Sequence, residues 1–164
     1  AVWHPPSRRA LRLQSGFPLD DEKLLGYADA LAAAGLALDS VPHVAAYPHS
    51  PWAEQGAELL LQRAPDATAI LAMSDKNAIA AIEVAGRLGR RVPDDLSVVG
   101  FDDVEGTAGM TPPLTTVRQD IAAKGRTAAG MLFTVAAPRQ LVLPVELVLR
   151  GSTAPPPGSR RRKP

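Results

Sequence analysis

The stretch "LSVVGFDDVE", residues 96–105, decides the fold. Leu96, Val98, Val99 and Phe101 make a short apolar run of the kind that forms a strand covered on both faces. The run ends in two adjacent carboxylates, Asp102 and Asp103. Paired acids at the tip of a buried strand need a reason, and the neighbouring segments supply it.

Two similar runs, "VPHVAAY" at 41–47 and "TAILAM" at 68–73, read as further strands, and "AVW" at 1–3 reads as the end of another. Helices fall between them. Asp20 is positioned to cap a helix that carries Leu24, Tyr27, Ala28 and Leu31 on one face and stops at Gly35. Ser50 followed by Pro51 marks a second start, leading into Ala53, Gly56, Ala57, Leu60 and Leu61. A third helix, from about Asp75 to Leu88, buries Ala78, Ile79, Ile82 and Ala85, with Gly89 just past its end. Strands alternating with helices imply βαβ units, so the expected class is α/β, a doubly wound parallel sheet with helices on both faces.

After residue 103 the rhythm changes. A long connection rich in Gly and Pro leads to the extended piece "TTV" at 115–117, and then to a helix from Asp120 to about Thr134. The run "LVLPVELVLR", 141–150, reads as a closing strand, and Pro144 within it calls for an edge position or a bulge.

The 164 residues, 46% hydrophobic and 21% charged, fit one globular domain. Cysteine is absent, which removes disulfides, thiolate metal sites and thiol nucleophiles. No apolar run reaches the roughly 20 residues that cross a bilayer, and "AVWHPPSRR" lacks the apolar core of a signal peptide, so a cytoplasmic protein is expected. The net charge of +1 is uneven: without Arg160, Arg161, Arg162 and Lys163, 14 basic groups face 17 acidic ones, a balance of −3. That is no nucleic-acid surface. The tail "APPPGSRRRKP", 154–164, has the composition of a disordered segment.

Ligands of open α/β sheets bind outside the carboxyl ends of the strands, where loops converge and helix N-termini offer free N–H groups. Asp102 and Asp103 follow one strand there, and Ser74 and Asp75 follow another. A carboxylate in that position can accept hydrogen bonds from neighbouring hydroxyls of a small polar ligand. Asp75 fits the simpler role of helix cap, and Asp103 that of a turn residue. Asp102 leaves the strand with no amphipathic helix starting behind it, so ligand contact is its expected task. His4, His43 and His49 show no metal-ligand spacing, and no metal, cofactor or catalytic constellation is expected. "GRLGRR", 86–91, closes a helix instead of opening one, which rules out a phosphate-cradling loop.

The ordered motifs "TAILAMSDKNAIAAI", "GRRVPDDLSVVGFDDVE", "PPLTTVRQD" and "LVLPVELVLRGST" resemble the C-terminal portion of LacI-type transcriptional repressors, over about Asp20 to Thr153. The resemblance implies a fold like that of periplasmic sugar-binding proteins, with two α/β lobes closing on a small effector such as a sugar or nucleoside. It also implies a separate helix-turn-helix headpiece for operator DNA. By length, this chain resembles the effector-binding C-terminal lobe alone, 1–153, with the helix inside 118–136 belonging to the other lobe. Carried over residue by residue, Asp102 falls on the carboxylate that reads effector hydroxyls, and Ser74 on a polar ligand contact. Gln119 falls at the crossover near the cleft. Lys23 in "EKLLGY" stands where the family has an arginine, a point charge in place of a planar fork. Pro51 replaces a stacking aromatic for which Trp52 could substitute.

The implied function is effector sensing by allostery without chemistry, in a homodimer that contacts operator DNA only through an absent headpiece and does not touch membranes. Trp52, Leu59, Val104 and Met110 are the candidate dimer contacts. Two other classes compete. A carbohydrate-binding protein of a transport system would require an export signal. A magnesium-dependent receiver-like domain would require its acid pair early in the chain and a strand-end lysine late.

Overall fold

The computed structural model describes residues 18–134 and 140–155, and four short strands among them form one sheet. Strands β1 (Ala69–Leu71), β2 (Ser97–Asp102), β3 (Thr115–Gln119) and β4 (Val145–Val148) lie side by side in that order. The first three run parallel, and β4 returns antiparallel along β3, pairing Thr116 with Val148 and Gln119 with Val145. Pro144 immediately precedes β4, which forms the sheet's edge, so its missing N–H costs no ladder bond.

Among the described residues, four α-helices accompany the strands: α1 (Pro18–Ala33), α2 (Trp52–Arg63), α3 (Asp75–Arg87) and α4 (Ile121–Thr134). Helix α3 covers one face of the sheet because its buried side is built from small residues, Ala78, Ala81 and Ala85, with Val84. These pack against Ile70, Val98, Leu96 and Leu114, and Ala57 and Leu61 of α2 close the core from behind. Gly100 lies on this face of β2. A side-chain carbon there would collide with the Asp75 carboxylate and crowd Leu114 at 3.0 Å, so only glycine lets α3 sit this close. Side chains alternate along β2, so Phe101 points to the opposite face, where Lys23 of α1 lies 4.2 Å above its ring centroid. Helices thus reach both faces, as expected, although Leu71 on the second face stays 53% exposed.

Beyond β4 the chain enters the sheet once more. Ser152 is fully buried, its Oγ donating to Val98 O at 2.6 Å and accepting the Thr115 N–H at 2.8 Å, while its carbonyl takes the Val98 N–H. It bridges β2 and β3 below the point where their own pairing begins, at Val99 and Thr115. Ala154 is tied to the Ser97 hydroxyl through both its N–H and its carbonyl. Ala154, expected to open a disordered tail, is thus held against the sheet, and residues 156–164 lie outside the described residues.

Two expectations need correction. Residues 41–47 form no strand; Val44 and Ala46 instead fit against Gly56 of α2, so their apolar pattern reflects helix packing. Asp20 lies inside α1, which begins at Pro18, a residue preorganised for the first turn. The "AVW" segment falls outside the described residues. Leu24, Tyr27, Ala28 and Leu31 are half-buried together, as the periodicity of α1 requires.

Candidate functional site

At the carboxyl ends of β1 and β2, the start of α3 sets the local architecture. Ser74 has extended backbone, and its Oγ accepts the Asn77 N–H at 3.3 Å, which makes it the helix cap. Asp75, expected in that role, does something else. It is fully buried, and its carboxylate accepts the Val104 N–H at 2.8 Å and the Thr116 hydroxyl. One carboxylate thereby pins the turn after β2 and the middle of β3 to the start of α3.

That pin holds an unfavourable backbone. Asp102 has φ 120° and Asp103 φ 56°, conformations that side-chain-bearing residues seldom adopt and that cost on the order of 1–3 kcal/mol each. The strain turns the two acids to different tasks. Asp103 faces inward and is contacted by Arg118 Nε and Arg150 at 2.7 Å each, and by the Thr107 hydroxyl at 3.1 Å. Burial pushes its carboxyl upward, but these hydrogen bonds together outweigh that and hold it below the usual range. Arg150 also reaches the Leu114 carbonyl at 2.9 Å, so Asp103 and its partners gather β2, β3 and the segment after β4 at one point. The turn role expected for Asp103 is what the geometry displays.

Asp102 faces the open edge. Its Oδ1 accepts the Gln119 amide at 2.8 Å, while Oδ2 takes no hydrogen bond from the described residues. Gln119 in turn accepts a hydrogen bond from Lys124 of α4 at 2.7 Å. Lys23 donates to the Met73 carbonyl at 3.1 Å from above the Phe101 ring, and one helical turn on, the Tyr27 hydroxyl reaches the Ala72 carbonyl at 3.5 Å. Burial raises the Asp102 carboxyl above its ordinary range and Asp75 adds to the rise, against the pull of Lys23, Gln119 and Lys124. The Tyr27 phenol is pushed up as well, by burial first and then by Asp102.

The structure therefore brings Asp102, Gln119 and Lys23 together, with Ser74 beside them as a cap. Trp52 stands apart. At the start of α2 it packs edge-on against Tyr47, with ring centroids 6.5 Å apart, and it is 55% exposed. A separate depression of about 350 Å³ between α2 and α3 is lined by residues that include His49, Ser50, Glu54, Lys76, Ile79 and Glu83, and Trp52 is not among them. Of the other residues of the cluster, Thr116 and Lys124 escaped sequence reading, while Asp75 was read only as a helix cap and Tyr27 only as part of a helix face. Tyr27 alone had a local signal, its spacing of four from Lys23 on a helix. Among the described residues, no group of three His, Asp or Glu could hold a metal ion, and no helix is long and apolar enough to cross a membrane.

An acceptor carboxylate whose second oxygen takes no hydrogen bond from the described residues, an amide donor and an ammonium at a sheet edge form a surface suited to hydroxyl groups. The periplasmic binding protein-like domain family matches residues 11–153. The HTH-type transcriptional regulator MalR of Streptomyces coelicolor is 47% identical over 102 residues, which are 59% of this chain and 30% of that protein. CelR of Thermobifida fusca is 38% identical over 138 residues, 80% of this chain and 40% of its own. Among solved structures, the CelR–cellobiose complex superposes with a TM-score of 0.76 at 37% identity, covering 80% of this chain and 42% of that one. A LacI-type regulator from Bifidobacterium animalis superposes with a TM-score of 0.79 at 28% identity, covering 89% and 54%. The chain spans less than half the length of these curated relatives. From family match, fold and relatives together, the chain belongs to the periplasmic binding protein-like domain family, in the form carried by LacI-type regulators.

Proposed function

We propose that this chain is the effector-sensing lobe of a cytoplasmic LacI-type transcriptional regulator, and that it binds a small sugar or nucleoside-like ligand without chemical conversion. The observation that carries the reading is the Asp102 carboxylate, oriented by Gln119 and leaving Oδ2 open at the carboxyl edge of the sheet. Cellobiose bound to CelR supports a saccharide as the first class to test. Ligand would shift a two-state equilibrium, and operator DNA would be contacted by a headpiece outside this chain. Ser74 and Lys23 border the ligand, and Trp52, set apart against Tyr47, does not.

Helix α4 belongs, on this reading, to a second lobe. Leu132 and Phe133 are 82% and 88% exposed, which leaves apolar surface for such a lobe or for a second copy of the chain.

The test is calorimetry with mono- and disaccharides, cellobiose included, and with nucleosides. Asp102→Ala removes a hydrogen-bonded charge worth about 1.5–3 kcal/mol, roughly a 10- to 150-fold loss of affinity. A ligand whose affinity is indifferent to Asp102→Ala, or silence across the whole panel, would overturn the assignment.

A further inference from the structure

Lys124 stands on α4, past the strand that carries Gln119, and no motif singles it out. Its ammonium lies 2.7 Å from Gln119 Oε1, and Gln119 Nε2 lies 2.8 Å from Asp102 Oδ1. An ammonium can only donate and a carboxylate can only accept. Gln119 sits between the two, so one amide orientation satisfies both neighbours, while the reversed one sets N–H against ammonium and carbonyl against carboxylate. Resting on the reading of Asp102 as a ligand-binding group, we infer that Lys124 is a positioning residue that locks the Gln119 amide and so fixes the donor and acceptor pattern the site offers its ligand.

The locked pattern has chemical content. Gln119 has a second amide hydrogen to donate, and Asp102 Oδ2 accepts. A pair of adjacent hydroxyls, one accepting from Gln119 and one donating to Asp102, matches that pattern. With the amide reversed, the site would offer two acceptors side by side and lose the match. Lys124 lies on the far side of the β3–α4 junction from the carboxylate, so the lock also links ligand geometry to the placement of α4.

Asp102 reports on the lock without any ligand, because its ionisation depends on the Gln119 hydrogen bond. The other charged or titratable groups that act on it are Lys23 and Tyr27 of α1, Asp75 of α3 and Lys124 itself. The experiment follows the Asp102 side-chain carboxyl by carbon NMR across pH in this chain, with the Gln119 side-chain amide followed in parallel. Lys124→Met should raise the Asp102 midpoint and move the Gln119 amide resonances. Lys124→Arg, which still donates, should restore both. In a Gln119→Leu background, Lys124→Met should raise the midpoint less, by the direct pull of the Lys124 charge alone. An unchanged midpoint in Lys124→Met would overturn the inference, as would an equal rise with and without Gln119, since that would make Lys124 a through-space charge only. Lys124 is exposed, so these variants keep the fold. Because no ligand is involved, failure here leaves the calorimetric test of Asp102 standing, and failure there leaves this result readable.

Discussion

Replacing Gly100 by alanine adds one methyl group where none fits. The new carbon would overlap Asp75 Oδ1, stand 3.0 Å from Leu114 Cδ2 and 3.3 Å from Ala78 Cβ. Leu114 can rotate slightly, but Ala78 is fixed by the helix backbone, and Asp75 cannot withdraw without leaving the Val104 N–H or the Thr116 hydroxyl. Overpacking of this kind costs about 1–3 kcal/mol, and weakening a hydrogen bond to a buried carboxylate about 1.5–3 kcal/mol. Partial relaxation shares the two costs, so a loss of roughly 2–4 kcal/mol is expected. Urea unfolding followed by circular dichroism measures it, and with a slope of about 2 kcal/mol per molar the midpoint falls by about 1–2 M. Gly86→Ala is the control: nothing lies within 4 Å of a carbon added there, near the end of α3, and the same substitution should gain roughly 0.5 kcal/mol by stiffening the unfolded chain. Equal midpoints for the two variants would refute the claim that α3 docks on β2 through Gly100.

Asp103→Asn should flatten the acid limb of stability: the wild-type carboxyl is depressed when folded, so its contribution is complete above the unfolded value of about 3.9 and fades as pH falls through the folded value. Acid unfolding curves of the two proteins that run parallel would contradict the ion cluster. Asp102→Asn should lower the Tyr27 ionisation, because a negative neighbour is removed; tyrosinate absorbance in alkaline titration, with Tyr27→Phe to assign the step, decides it. The chain should sediment as a dimer or larger species at micromolar concentration, and Leu132→Glu with Phe133→Glu should reduce that association. A monomeric wild type would remove the exposed α4 surface as its cause.

How far the sequence could be read depended on the range of each interaction. The faces of α1 and α3 follow from residues three and four apart, and both are where periodicity puts them. The strand at 97–102 was legible because its β-branched run needs cover on both faces wherever it lies in the sheet. The segment 41–47 has the same look, yet strand pairing depends on a partner elsewhere, and here Gly56 of α2 offers a better fit. The split between Asp102 and Asp103 was visible in outline, since one acid ends the strand and the other opens the turn. The task of Asp75 was hidden: its partners are 29 and 41 residues away, while a capping position is a purely local signal that Ser74 fills one residue earlier. Met110, expected as an interface residue, packs against the core, since the loop that carries it folds back under Thr107 and Leu114.

The place of Ser152 has a consequence in time. Its bonds to Val98 and Thr115 span 54 and 37 residues, and they fill the seam where β2 and β3 have not yet begun to pair with each other. A chain made from its N-terminus can form α2, β1, α3 and β2 early, since those contacts are short in sequence. The seam stays open until Ser152 has been made. Contacts of such separation slow folding, and an unfilled strand edge meanwhile invites pairing with other chains. A nascent chain halted before residue 152 should therefore hold a half-closed sheet that is susceptible to proteases and prone to aggregate, and completion of folding should coincide with arrival of a single serine.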